Sequence, residues 1–426
     1  MRRDSMMPTL DRPKLRPVRA QATMHLGQKY VALEDPLGVA PSPVLVPLDG
    51  FQWVVRHFDG SRTLSEIQKD VQRLCGQVLP AEALEALVRD LDRALILDGP
   101  TFSAFRDAYR AETVRPAAHA GRSYPTHPDD LRRWLDEHFD HPRGSGRPQI
   151  PTSGPSGDLR GVITPHIDFQ RGGPTYTHGF RALVERSDAD IFVILGVAHQ
   201  YAERRFVLTR KHFQTPLGLV STDQEFVNDL TARAGESFFS DELAHRTEHS
   251  IEFQAVFLQH LLGGRRPFAI VPILAGSFHD LMPTGLDPIA DPEVRRFIQA
   301  LRETEANCGK KVAYIGGIDL CHVGPEFGDP DRLTESRLDE IRRFDQSMLA
   351  KAAAVDPSGW FSTAAEIENR WRVCGLAATY TMLHVLGPSS GHLLRYDQAV
   401  NPERTCGVSF ASLAFEKTPE RPHVGT

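Results

Sequence analysis

The stretch "DIFVILG", residues 190–196, is a short and nearly uninterrupted apolar run that decides the fold class of the chain. A strand buried on both faces has such a continuous apolar pattern, and parallel sheets covered by helices contain strands of this kind. The segments "LRGVIT", "FAIVPILAG" and "KVAYIGG" repeat the pattern, and helical stretches such as "HSIEFQAVFLQHLL" separate them. The segment "VLTRKHFQTPLGLVST" is typical of a hairpin. We therefore predict an α/β domain with a mixed, largely parallel sheet flanked by helices.

The composition is that of an ordinary globular protein and excludes several classes of function. The chain has 426 residues, 41% of them apolar and 24% charged, and a formal net charge of −6. This balance gives no reason to expect nucleic acid as a partner, and no apolar run approaches the length of a membrane span. The basic N-terminus lacks the apolar core of a secretory signal. Five scattered cysteines without a CxxC pair indicate a reducing compartment, so we expect a cytoplasmic protein.

Changes in composition along the chain predict four parts. Residues 1–22, rich in Pro and Arg, are expected to form a flexible basic tail. Residues 23–112 form a separate small unit, mainly helical. Residues 117–416 form the α/β domain, and residues 417–426 are expected to be a frayed tail. Two domains are the usual solution for a chain too long for one core.

The small unit contains three segments with apolar residues at helical spacing: "DGFQWVVRHF", "TLSEIQKDVQRLCG" and "PAEALEALVRDLDRALIL". Thr63 and Glu66 have the spacing of a capping box at the start of the second segment. A small helical bundle explains this pattern. The pair "DGSRTLSEIQKDV" and "ALVRDLDRALILDG" also resembles the PqqD-like winged-helix modules that hold peptide substrates. That resemblance implies docking of a peptide or partner by this unit, and not catalysis.

Histidines follow three of the predicted strands of the large domain. "GVIT" is followed by Pro-His166, "DIFVILG" by "VAH" with His199, and "KVAYIGG" by "IDLCH" with Asp319 and His322. One loop histidine is more often a capping or solvent-facing residue than a ligand. Parallel strands bring their carboxyl ends to one edge of a sheet, where ligands bind. Because neutral imidazole is the commonest transition-metal ligand, three such histidines predict a metal site.

Two further segments offer residues to this site. Cys374 precedes "GLAATYTMLHVLG", which is typical of a buried helix, and a cysteine at a helix N-terminus has its thiolate stabilised by the helix dipole. Alternatively, Cys374 is an inert buried thiol. His249 and Glu252 in "TEHSIEFQAVFLQHL" are neighbours at the start of a helix. They line the crevice, or Glu252 completes a helix cap. HEXXH does not occur, so this is not a zincin helix.

The large domain resembles the Memo family over about residues 117–416. The segments "AGRSYP", "ITPHIDF", "ILGVAH", "TPLG", "EHSIEFQ", "IVPILAGS", "IDLCHVG", "VCG" and "GVSFASLAF" occur in the order seen in that family, which includes the AmmeMemoRadiSam system protein B. Its fold is similar to that of class III extradiol dioxygenases, which are non-haem iron enzymes. The resemblance implies metal ligation by His166, His199 and Cys374. It also implies that the metal is flanked by Asp319 and His322, with His249 nearby.

Some positions depart from the family pattern without removing a predicted ligand. Gln200 stands where a second histidine is common, and Gly317 and Ile318 stand where serines are typical. Ile167 and Asp168 replace a usual Ala-Gly, which predicts a narrower and more acidic mouth of the site.

The predicted ligand set supports three functions. A site with two histidines, one anion and open positions suits Fe(II), and its thiolate would also accept copper or zinc. The first function is an iron-dependent redox enzyme in which His322 is the general acid/base and Asp319 orients its ring, with His249 alongside. The second is a metal-binding accessory protein that docks peptides and works with radical-SAM and AMMECR1-type partner proteins, as the family name implies. The third is a zinc hydrolase.

Overall fold

The computed structural model describes residues 10–149 and 154–418 of the chain. The chain divides into two compact units, Met1–Glu112 and Thr113–Thr426. The predicted α/β class and the small additional domain are both confirmed. Each unit has its own hydrophobic core and is described by itself.

The N-terminal unit combines a three-stranded antiparallel sheet with helices. The strands pair in the order β1-β2-β3. Helix α2 begins with the predicted capping box, in which the Thr63 side chain accepts the Glu66 N–H and Glu66 accepts the Thr63 N–H. The core contains Leu33, Ile67 and Leu84. The elements are β1 (Arg19–His25), β2 (Gln28–Glu34), β3 (Val44–Pro47), α1 (Leu48–Trp53), α2 (Leu64–Cys75), α3 (Ala81–Arg93) and α4 (Pro100–Ala111).

The expectation of a flexible tail over residues 1–22 is wrong for the part that the structure describes. The Arg16 guanidinium is buried because Asp35 pairs with it, with an Nη2–Oδ1 distance of 2.8 Å. The Arg16 backbone N–H donates to the carbonyl oxygen of Ile96 (2.9 Å), and β1 begins at Arg19. Residues 1–9 lie outside the described residues. At the other end, Lys417, the first residue of the expected tail 417–426, still belongs to the strand Gly407–Lys417, and residues 419–426 are also outside the described residues.

The large unit contains the predicted strands and helices together with elements that the sequence patterns did not predict. Among the described residues, no helix has both the length and the apolar character needed to cross a membrane. The strands are β4 (Val114–Arg115), β5 (Leu159–Thr164), β6 (Ile191–Val197), β7 (Phe206–Leu208), β8 (His212–Thr215), β9 (Gly218–Val220), β10 (Ala269–Ala275), β11 (Val312–Gly317), β12 (His322–Val323), β13 (Ser389–Val400) and β14 (Gly407–Lys417). The helices are α5 (Pro128–Asp140), α6 (Phe169–Arg186), α7 (Gln224–Ala234), α8 (His249–Leu262), α9 (Pro292–Asn307), α10 (Glu335–Ala353), α11 (Pro357–Ala365) and α12 (Leu376–Val385).

The main sheet is mixed, as predicted, and its central strands are parallel. Its order is β12-β14-β5-β11-β6-β10-β7, and β13 pairs with β14. Strands β5, β11, β6 and β10 run parallel to one another, whereas β7 and β14 run antiparallel to their neighbours. The carboxyl ends of β5, β11 and β6 therefore lie side by side at one edge of the sheet.

Both faces of the sheet are buried, which explains the continuous apolar runs. Along β6, Val193 and Leu195 belong to the core on one face, and Phe192 and Ile194 belong to the core on the other. All seven residues of β6 are buried. Successive side chains of a strand point to opposite faces, so a strand covered on both sides needs apolar residues at every position.

Candidate metal centre

Three histidines from separate elements meet at the carboxyl edge of the central strands. His166 follows β5 after one proline, His199 follows β6 after one alanine, and His249 is the first residue of α8. One ring nitrogen from each lies within 4.8 Å of the others. The ring centroids of His166 and His199 are 4.8 Å apart, and those of His199 and His249 are 4.7 Å apart. We call these residues, together with Cys374, the candidate metal centre.

Backbone and carboxylate groups fix the ring of His166. Its Nδ1 lies 2.9 Å from the carbonyl oxygen of Gly317, which only accepts, so Nδ1 carries the proton in this contact. Its backbone N–H donates to Oδ1 of Asp319 (3.0 Å). The opposite nitrogen, Nε2, lies 3.3 Å from Sγ of Cys374 and 3.6 Å from Oδ2 of Asp319. The lone pair of Nε2 therefore faces the Cys374 thiol, and an ion bound beside the sulfur would take the place of the thiol proton.

Glu248 binds two of the three histidines and was missed by the sequence patterns. It is the buried N-cap of α8, where its Oε1 accepts the backbone N–H groups of His249 (2.8 Å) and Ser250 (2.9 Å). The same oxygen lies 3.0 Å from Nδ1 of His199 and 3.2 Å from Nδ1 of His249. A carboxylate behind a ligand histidine fixes the tautomer and orients the ring. The signal in the sequence was an acidic residue directly before an apolar helical run.

Burial and Glu248 set the charges of the three rings. Burial holds the pKa of His166 well below its usual range and lowers the pKa of His249 to about 3, so both rings are neutral near pH 7. Burial also acts to lower the pKa of His199, but the Glu248 carboxylate and Cys374 outweigh it and raise that pKa well above 6.5. The neighbouring His199 keeps the pKa of Glu248 well below its usual range despite burial. His166 and His249 are therefore ready to bind a metal ion as neutral imidazoles, whereas His199 would release a proton on binding.

Cys374 reaches the centre from the segment before α12. It precedes Gly375, the N-cap of α12. The backbone at Gly375 passes close to that of Asp319, because a Cβ on Gly375 would lie 2.8 Å from the Asp319 carbonyl oxygen. We expected the helix dipole to stabilise a thiolate here. Burial instead raises the pKa of the Cys374 thiol, although its hydrogen bond with His199 opposes that shift. Binding of a cation would have to displace the proton.

Asp319 and His322 lie beside this centre, and their charges interact with each other. Nδ1 of His322 lies 3.2 Å from the carbonyl oxygens of both Leu320 and Arg372. Backbone carbonyls therefore hold Nδ1 of this ring, and orientation of the ring by Asp319 stays a prediction. The Asp319 carboxylate accepts the backbone N–H of His166. Burial raises the pKa of Asp319 to about 6 and lowers the pKa of His322.

Glu252 neither lines the crevice nor caps α8, so both readings of this residue are wrong. It forms a fully buried ion pair with Arg115, with an Nη1–Oε2 distance of 2.5 Å. The Tyr124 hydroxyl and the backbone N–H of His119 also donate to Glu252. Arg115 in turn donates to the carbonyl oxygen of Glu248 (2.7 Å). This network attaches the segment around "AGRSYP" to the start of α8, behind the candidate metal centre.

Asp168 and Gln200, two of the residues that depart from the family pattern, form hydrogen bonds with neighbouring side chains or backbone. The Asp168 side chain caps α6 by accepting the Arg171 N–H, and its carboxylate pairs with the Arg171 guanidinium (2.6 Å). That ion pair offsets the acidity expected at the mouth. The Gln200 amide donates to the Thr247 hydroxyl, just before Glu248.

The donor set fits a transition-metal ion of borderline softness. In His166 and His199 the Nδ1 atom is occupied by an oxygen acceptor, which leaves Nε2 as the donor. Cys374 adds a sulfur that hydrogen-bonds both of these rings. Imidazole and thiolate together suit iron, copper and zinc better than magnesium or calcium.

The fold and the site define an α/β protein with a histidine-rich site at the carboxyl edge of its sheet. The model of the family described as "Memo-like protein" matches residues 115–414, so the chain belongs to the Memo-like family. It is similar to a MEMO1 family protein of Aquifex aeolicus, with 26% identity over 91% of this chain and 96% of that protein. It is also similar to a MEMO1 family protein of Methanopyrus kandleri, with 30% identity over 71% of this chain and 99% of that protein. The first alignment is longer than Thr113–Thr426, so it extends into the N-terminal unit.

Proposed function

We propose that this protein is a metal-dependent redox enzyme whose ion, Fe(II), is held by His166, His199 and Cys374. The observation that supports this most strongly is the shared geometry of His166 and His199, whose Nδ1 atoms are both turned to oxygen acceptors. Such contacts are what ligand histidines of metal sites have behind them. When bound, iron would supply electron transfer and reactions with dioxygen.

The residues beside the ligands would move protons and exclude water. His322 is held by two carbonyl oxygens at Nδ1, so its Nε2 is the atom that would accept a proton, and burial keeps the ring neutral near pH 7. Asp319, with its pKa raised to about 6, would hold a proton on the acid side of neutrality. His249 stays neutral beside His199 and would hydrogen-bond a bound substrate.

The test is metal analysis of protein purified without oxygen. We expect about one iron per chain, lost in the variants His166→Ala, His199→Ala and Cys374→Ser. His392→Ala is the matched control, since that histidine is exposed on β13 and remote from the cluster. Full metal content in His166→Ala or Cys374→Ser would contradict the ligand assignment, and His249→Ala then tells whether His249 takes the third place.

Turnover is tested separately from metal content. Oxygen uptake by the iron-loaded protein on addition of substrate supports the redox proposal, and His322→Ala should keep its iron and lose that uptake. Tight zinc binding, with a hydrolytic activity that chelation removes, would replace the proposal by a zinc hydrolase. Iron without turnover would replace it by an accessory role. In that role the N-terminal unit would dock a peptide, and radical-SAM and AMMECR1-type proteins would be the partners.

A further inference from the structure

A cavity of about 270 Å³ lies against the candidate metal centre and has His199 and Cys374 in its wall. The rest of the wall comes from the end of β6, the residues after β10, and the chain around the start of α12. Much of this lining is apolar and includes Val197, Phe278, Met282, Val373, Leu376 and Ala377. Ligand pockets in proteins usually measure ~300–1,000 Å³. This cavity therefore suits a small molecule with an apolar body.

The described wall of the cavity contains one permanently charged side chain, the guanidinium of Arg372. Arg372 and the histidines His199 and His279 line it, and none of the described lining residues is Asp or Glu. The Arg372 guanidinium is anchored by Oδ1 of Asp329 (2.8 Å) and by the carbonyl oxygen of His322 (3.2 Å). A guanidinium has five N–H donors in a planar fork that matches a carboxylate. These two contacts leave donors for a ligand.

The backbone that carries Arg372 has an unusual conformation. Glu368, Asn369 and Arg372 have φ angles of 52°, 48° and 54°, which place three non-glycine residues in the left-handed region within five positions. The Asn369 side chain holds this turn by accepting the Val373 backbone N–H (2.9 Å). Strain of this kind persists where the surrounding structure fixes it, and it concentrates at ligand sites.

We propose that this cavity binds the substrate and that the substrate is a small organic carboxylate. Its carboxylate pairs with the Arg372 guanidinium, and its apolar body lies among Met282, Leu376 and neighbouring side chains. A ligand in this position lies against His199 and Cys374, two of the proposed metal ligands. The catalytic meaning of this site rests on the proposed function, whereas recognition of the anion by Arg372 does not require the metal.

The experiment compares three probes of similar shape and different charge by calorimetry on the full chain. Phenylacetate carries the carboxylate, phenylacetamide is neutral, and phenethylamine is a cation. Hydrogen bonds to charged groups are strong enough to predict at least about tenfold tighter binding of phenylacetate than of phenylacetamide. Phenethylamine should bind more weakly than both.

Variants assign that preference to Arg372. Arg372→Gln should weaken phenylacetate about tenfold and leave phenylacetamide unchanged, and Arg372→Lys should restore part of the loss. Arg370→Gln is the matched control, because Arg370 pairs with Glu340 (3.5 Å), packs on Trp371 and does not line the cavity. Ala377→Leu narrows the cavity and should weaken all three probes.

The measurements are made with metal-loaded protein and repeated after chelation, with metal content determined each time. Equal affinity for phenylacetate and phenylacetamide overturns the proposal, as does an unchanged preference in Arg372→Gln. A preference that disappears on chelation also overturns it, since the anion then binds the metal. If the protein takes up no metal and still prefers phenylacetate over phenylacetamide, the proposed function is refuted. The inference that Arg372 binds a carboxylate in this cavity then still holds. If Arg372→Gln does not fold, the probe series with wild type and Ala377→Leu decides.

Discussion

Replacement of Glu248 by Gln tests the electrostatic design of the candidate metal centre. Glu248 is buried, and its Oε1 contacts Nδ1 of His199 at 3.0 Å while it also caps α8. Gln keeps one oxygen for the helix N–H groups, so the helix start is preserved. The Glu248→Gln variant lacks the negative charge that orients the His199 ring and balances the positive charge of a bound metal ion.

The expected magnitude follows from the contacts that change. Removing a carboxylate behind a ligand histidine typically costs ~10–100-fold in metal affinity, or about 1.4–2.8 kcal/mol. His166 is held by the Gly317 carbonyl instead, so its contact remains. We therefore expect Glu248→Gln to bind one ion per chain with an affinity reduced by ~10–100-fold and not abolished.

The assay is a competition titration of Co(II) or Zn(II) against a chromophoric chelator. Glu242→Gln is the matched control: Glu242 is a buried carboxylate that accepts the Thr209 hydroxyl (2.7 Å) and is not part of the centre. It should leave metal affinity unchanged. Wild-type affinity in Glu248→Gln would refute the argument, and so would an equal loss in the control.

Three further predictions concern groups around the centre. Burial raises the pKa of Asp345 to about 6, so the folded state holds its proton more tightly than the unfolded chain does. As pH rises from about 4 to 6, ionisation of Asp345 therefore lowers the free energy of unfolding by about 3 kcal/mol in total. The variant Asp345→Asn lacks this ionisation, so its stability in thermal unfolding should depend less on pH. An unchanged dependence on pH contradicts the assignment. Arg115→Met leaves the Glu252 charge buried and unpaired, which should lower the free energy of unfolding by about 3–5 kcal/mol. The double variant Arg115→Met/Glu252→Leu should recover most of it, and chemical denaturation of the three proteins shows whether it does. Gly317→Ala places a Cβ 2.6 Å from the Ser250 carbonyl oxygen, so it should displace the start of α8 and weaken metal binding. The same chelator competition measures this loss. An unaltered metal affinity would show that the close contact between Gly317 and Ser250 is unimportant for the centre.

The central sheet could be predicted because burial on both faces leaves a strong signal. Each residue of β6 contributes to a core, so the apolar run is continuous. Strand β13 gave no such signal, since none of its residues is buried and its pairing with β14 depends on backbone hydrogen bonds. Strand β1 was missed for the same reason, as it is mostly exposed and, within the part of the chain that the structure describes, pairs with β2 alone. Its turn at Leu26 and Gly27, both with positive φ, was the available clue.

The sequence predicted those residues of the candidate site that directly follow the parallel strands. The ends of parallel strands meet, which was enough to bring His166 and His199 together. The partners behind them depend on tertiary contacts that no spacing encodes. Glu248 was overlooked beside His249, and Glu252 was assigned to the wrong surroundings because its partner Arg115 lies 137 positions earlier in the chain.

The position of β14 has a consequence for how the protein is made. This strand is the last element among the described residues, yet it lies inside the main sheet, with β13 on one side and β5 and β12 on the other. During translation, β5 leaves the ribosome some 250 residues before β14, and this edge of β5 stays unpaired until β14 has been made. Unpaired strand edges promote aggregation of nascent chains. A chain truncated before Gly407 would therefore carry an open edge on β5, where a strand of another molecule could pair.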